Sequence, residues 1–112
     1  MSGRMIGICQ LLNAYSDYPP GKVRWMLVMY AATLDSLVVE LLVDGKATLQ
    51  VVFTRPTGIS LPSIWGSCTF SIGVSQLAPD RSAYEVRIEA ETGTYMITCE
   101  KMSIVIPEVN LL

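Results

Sequence analysis

Histidine is absent from this chain and charge is scarce: 16% of its 112 residues are Asp, Glu, Lys or Arg, where soluble domains average about a quarter. Without histidine there can be no Ser-His-Asp or Cys-His catalytic arrangement and no His-based metal site. Cysteine is sparse as well. Cys9, Cys68 and Cys99 stand far apart with no CxxC spacing, which excludes a local redox pair. An odd, scattered set reads as reduced thiols packed as small hydrophobes in a cytosolic or nuclear setting. Glycine-rich phosphate loops are missing, since Gly7, Gly45, Gly58 and Gly73 stand alone with neither a Walker pattern nor GxGxxG. A membrane-spanning run is missing too. Residues 25–43 are interrupted by Thr33, Asp35, Ser36 and Glu40, whereas a span needs about 20 predominantly apolar residues. Gly7 and Gln10 interrupt the apolar residues 5–12, so no secretory signal is expected. Glycine stands third rather than second, outside the myristoylation pattern, and no Asn-x-Ser/Thr sequon occurs. The expectation is an intracellular chain free of lipid and glycan.

What is present is apolar: 51% of the residues. One domain of this length buries roughly two thirds of its unfolded surface, which is enough for a core without staples. The apolar surplus on so few charges points to contacts with other chains or with a lipid surface. The net charge of −2 hides an asymmetry. Residues 1–60 carry five basic groups (Arg4, Lys22, Arg24, Lys46, Arg55) against four acidic ones, and residues 61–112 carry three against six. No like-charge run marks a nucleic-acid domain, and a small basic patch exists only if the fold gathers Arg4, Lys22 and Arg24.

Along the chain, residues 1–21 read as an N-terminal arm and loop, closed by Tyr18-Pro19-Pro20-Gly21, where paired prolines stop regular structure. Residues 22–30 are apolar at both parities, the pattern of a strand covered on both faces. Leu34, Leu37, Val38, Leu41 and Leu42 then fall at i, i+3, i+4, i+7 and i+8, predicting a helix over 34–44. Thr33 would be its N-cap and Gly45 its left-handed terminus, with Val38-Val39 leaving a strand as competitor. Residues 47–54 alternate as a half-buried strand, with Leu49, Val51 and Phe53 inward. The loop Leu61-Pro62-Ser63-Ile64-Trp65-Gly66 is apolar. It is a hydrophobic tip, a subunit contact or a plug over the sheet, so Ile64 and Trp65 are candidates for self-association, as are the terminal Leu111 and Leu112. Residues 68–74 read as a strand, Pro79–Ser82 as a turn, and Tyr84, Val86, Ile88 and Ala90 as a dry face opposite a wet Glu85, Arg87 and Glu89. Strands at 95–99 and 101–106 follow. The fold class is α+β and β-rich, an antiparallel sheet or half-sandwich of about six strands with one main helix. Glu85, Glu89 and Glu91 are the carboxylates available for acid–base chemistry, but i, i+2 spacing describes a solvated strand face.

The order strand (22–30), helix (34–44), strand (47–54), apolar loop and closing strands resembles the small matrix proteins of non-segmented negative-strand RNA viruses, the bornavirus type in particular. The residues that carry the likeness at the end of the fold are Cys68-Thr69-Phe70-Ser71-Ile72-Gly73-Val74, Tyr84-Glu85-Val86-Arg87-Ile88 and Met102-Ser103-Ile104-Val105-Ile106-Pro107. The residues themselves give no reason to expect a cofactor or metal, and the resemblance implies a β-rich half-sandwich that assembles into tetramers or sheets. Such assemblies line the inner membrane leaflet of the virion or infected cell and contact the nucleoprotein complex and, in some members, RNA. Arg4, Lys22, Arg24, Lys46 and Arg55 would then face membrane or phosphate, at about 1 kcal/mol per cation near an anionic surface. The competing readings are an intracellular module that captures a peptide at a strand edge or apolar loop, and a small enzyme using Glu85, Glu89 or Glu91 in a pocket.

Overall fold

The computed structural model describes residues 3–19, 21–31, 35–78 and 81–106. Helix α1 (Gly3–Asn13) and a 3-10 turn (Ala14–Asp17) precede nine strands: β1 (Val23–Ala31), β2 (Ser36–Val43), β3 (Lys46–Thr54), β4 (Thr57–Ser60), β5 (Ile64–Trp65), β6 (Cys68–Ala78), β7 (Arg81–Ala90), β8 (Gly93–Cys99) and β9 (Lys101–Val105). They form two antiparallel sheets, one of five strands in the order β5-β1-β2-β3-β9 and one of four in the order β4-β8-β7-β6. The β-rich class holds. Among the described residues no helix is long and apolar enough to cross a membrane.

The predicted helix over 34–44 is a strand. Leu37, Val39 and Leu41 are buried on the inner face of β2, and Val38 is buried on the outer one. An unbroken apolar run satisfies helical and alternating periods together, and the β-branched Val38, Val39 and Val43 tip it toward the sheet. Pairing on both sides, with β1 and with β3, supplies the hydrogen bonds that a helix would have made internally. Asp44 and Gly45 both have positive φ, 54° and 78°, so Gly45 completes a two-residue β-hairpin turn rather than a helix cap. Thr33 and Leu34 lie outside the described residues.

The main helix is instead at the N-terminus, where an arm was expected. Met5, Cys9 and Leu12 recur at i, i+4 and i+7, all buried, and α1 packs on β6 and β9, one edge strand from each sheet. Counting Cys9 as apolar restores a helical stripe that Gly7 and Gln10 obscure.

One core joins both sheets and the helix. Trp25 of β1 meets Phe70 of β6 edge-on at 5.1 Å between ring centroids and stacks on Trp65 at 6.3 Å. Val51 and Phe53 from the five-stranded sheet and Val86, Ile88 and Ile97 from the four-stranded one have no exposed surface. Two of the four places where the chain crosses between the sheets, β3 to β4 and β8 to β9, meet at one corner. There Glu100 N–H donates to the Thr54 carbonyl (3.0 Å) and Arg55 N–H to that of Asp35 (2.7 Å), while the Arg55 and Glu100 side chains pair at 3.4 Å.

Candidate functional site

Alternation along each strand decides which side chains leave the core, and in the middle rows of the five-stranded sheet the outgoing ones are largely apolar. Across the middle of the sheet the register runs Ile64–Met26–Glu40–Gln50–Val105, and one step along it runs Met29–Val38–Val52–Ser103. A register shift between Leu27 and Met29 turns both Val28 and Met29 outward. Val28, Met29 and Ile64, which are 50%, 43% and 47% exposed, gather on neighbouring strands, and Val105, 49% exposed, stands across Glu40 and Gln50 at the other edge; all four are too open for core residues. The one polar pair in the middle of these rows satisfies itself, Gln50 Nε2 donating to Glu40 Oε2 at 3.1 Å. Five strands about 4.8 Å apart and some seven residues long make a face on the order of 500 Å². That is most of the roughly 800 Å² that each partner buries in a standard interface.

The four-stranded sheet is built on the same alternation and presents Thr69, Ser71, Glu85, Arg87, Glu89, Thr94 and Thr98 outward, with Met96 among them. The expected dry face, Val86 and Ile88 with Tyr84 and Ala90 half-buried, points into the core. Glu85, Arg87 and Glu89 line a wet ladder. Glu91 lines an open depression of about 370 Å³ with Ser16, Tyr18, Ser67 and Thr92, and shares a shallow neighbouring one with Glu89, Ser16, Ser67 and Thr69.

The candidate cations divide into two groups. Lys22, Arg24 and Lys46 gather at one end of the five-stranded sheet, where Lys22 and Asp44 pair at 3.0 Å and Arg24 projects beside Leu42. Arg4 is exposed on α1, and Arg55 lies at the opposite end of β3 against Glu100.

Of the three roles open to the 61–66 loop, the plug is the one that forms for Trp65. Its side chain is buried between Trp25 and Tyr95, and its Nε1–H donates to Cys68 Sγ at 3.3 Å. A buried indole cannot serve as the surface contact expected of Trp65. Its neighbour Ile64 points outward, as alternation requires, and joins the apolar face. Leu111 and Leu112 lie outside the described residues. All three cysteines are buried free thiols. Burial pushes Cys68 and Cys99 up to about 11 and raises Cys9, the Trp65 hydrogen bond partly offsetting the effect at Cys68. Among the described residues no group of three or more Cys, Asp or Glu could hold a metal ion.

The apolar face escaped sequence reasoning because its central strand was assigned to a helix and β1 was expected to be covered on both sides. The signal was the second apolar parity of β1, Met26 and Val28. No family model matches the chain, and neither a curated protein nor a solved structure matches it.

Proposed function

We propose that this chain is a non-enzymatic structural protein that works by associating with copies of itself through the outer face of the five-stranded sheet. The observation that carries this is the apolar outer face formed by Ile64, Met26, Val28, Met29, Val52 and Val105 around the buried Val38. A monomer gains nothing from exposing it, and the largest apolar patch of a soluble chain is often functional. A second copy is the occupant that suits its charges. The Lys22–Lys46 end carries Arg24 and Lys46 beyond the Lys22–Asp44 pair, whereas the far end carries Asp35 and Lys101 beyond the Arg55–Glu100 pair and has no net charge. Antiparallel stacking of two such faces sets the basic end of each copy over the neutral end of the other, so the like charges of the two basic ends do not meet.

The specific form of this function is a matrix-type layer on the inner leaflet of a membrane, meeting a nucleoprotein complex on its other side. Repetition of Arg24 and Lys46 through an assembly supports it, because weak single-site attractions add when the sites are linked. Size-exclusion chromatography with light scattering at two concentrations tests the association. A dimer or larger species growing with concentration is expected, and a monomer at both overturns the proposal. Flotation with vesicles containing phosphatidylserine tests the layer. Binding that disappears in 0.5 M salt is expected, and equal recovery with neutral vesicles contradicts the basic-rim contact.

A further inference from the structure

The four-stranded sheet ends on β6, an edge unlike the other three. Its eleven residues, Cys68–Ala78, hold no charge and no proline, two of the devices that keep an edge strand from pairing with another chain, which leaves α1, packed on β6, as its cover. The remaining edges are blunted: β5 has two residues, β4 has four with Gly58 at φ 57°, and β9 opens on Lys101.

At its start this edge already has a partner. Asn13 Nδ2 donates to the Phe70 carbonyl at 2.9 Å, and Asn13 Oδ1 accepts the Phe70 N–H at 2.6 Å. Both backbone groups of Phe70 therefore point away from β7, which makes Phe70–Ile88 a non-hydrogen-bonded pair. The register continues unbroken to Gln76–Ser82, so alternate residues Ile72, Val74 and Gln76 turn their N–H and C=O groups outward as well. Among the described residues no partner meets those of Ile72 and Val74, and Val74 is 53% exposed.

We infer that β6 pairs antiparallel with β6 of a second copy about a two-fold axis at Val74. Further along the strand, the second copy does what the Asn13 amide does at Phe70. A two-fold contact requires a surface complementary to itself. A charge-free strand meets that requirement, with Ile72 opposite Gln76 of the other copy and Val74 opposite Val74. Each outward pair exchanges two bonds, giving about six across the junction. Two four-stranded sheets thereby become one of eight. This extends the self-association reading with a second, separate contact. The apolar face alone pairs two copies, whereas two different two-fold contacts on one subunit build a closed tetramer or an open layer.

Amide hydrogen exchange on the full chain at low and high concentration tests the edge. Ile72 and Val74 are expected to exchange at least tenfold more slowly when concentrated, with Ser71 and Gly73, bonded to β7, as internal references. Val74→Pro removes an N–H that β7 does not use. It is expected to abolish the added protection and to stop assembly at a dimer, with the thermal melt unchanged. Should that variant fail to fold, the exchange measurement on the unaltered chain decides. Oligomers whose Ile72 and Val74 amides exchange equally fast at both concentrations overturn the edge contact and leave the apolar face standing. Val28→Asp acts only on the apolar face, so edge protection that persists in it supports the second contact independently. Protection that appears only on adding a different protein overturns the assignment to a second copy.

Discussion

The two sheets bury their inner faces alike and differ in what they turn outward. On the four-stranded sheet Thr69, Ser71, Glu85, Arg87 and Glu89 meet water, as an antiparallel sheet with one solvated side should. On the five-stranded sheet the equivalent positions are Met26, Val28, Val38, Val52 and Val105, residues that belong against another apolar surface. Fold requirements explain the inner faces of both sheets and the outer face of neither. The contrast between the outer faces is therefore where function is read, and it locates the apolar surplus of the composition on one side of the molecule.

The largest effect expected from a single substitution lies beneath both faces. Trp25→Ala removes the indole that touches Phe70 and Trp65, and should cost about 3–5 kcal/mol of folding stability in denaturant titration. A loss well under this range would mean that the sheets do not share that floor. Next comes the comparison itself. Val28→Asp buries a charge in the proposed contact and should weaken association about 100-fold, or about 3 kcal/mol. Ser71→Asp, on the wet face, should leave association within twofold. Equal effects in sedimentation would erase the distinction between the faces.

Asn13→Ala strands the edge groups of Phe70 and should lower stability by about 1–2 kcal/mol. It should leave association through the apolar face intact, measured as melting and oligomer size on one sample. The smallest effect is alkaline. Cys68 and Cys99 both lie under the four-stranded sheet, and burial holds each thiol neutral up to about 11 against an ordinary 9.0. The unfolded chain ionises first. Stability is thus complete below pH 9 and falls as pH climbs from 9 toward 11. Cys99→Ala should flatten that decline in melts run under reductant.

Sequence reasoning reads three strands of the four-stranded sheet well because they obey one period, as Tyr84–Ala90 shows, with the wet side spelled out by Glu85, Arg87 and Glu89; it takes β4 for loop because Pro56, Gly58 and Pro62 punctuate that stretch. It fails at residues 34–44 because a central strand apolar on both sides carries every short period at once. Only pairing partners distant in sequence, Trp25 opposite Leu41 and Val52 opposite Val38, decide the outcome. The N-terminal helix was hidden for the opposite reason, since a stripe of three buried residues, Met5, Cys9 and Leu12, is thin until a sheet edge lies against it. The basic candidates were legible one by one. Their division between the two ends of the five-stranded sheet was not, because it depends on the hairpin at Asp44-Gly45 returning Lys46 to Lys22.

The methionines offer the most direct test of the central claim. Met26 and Met29 lie on the apolar face and Met96 on the wet one. Methyl-labelled protein exposed to a soluble paramagnetic probe at low and high concentration reports the covering of each face separately. Selective loss of relaxation enhancement at Met26 and Met29 with rising concentration, while Met96 keeps its own, is the predicted result. Shielding of Met96 instead, or equal exposure of all three at every concentration, would contradict the account.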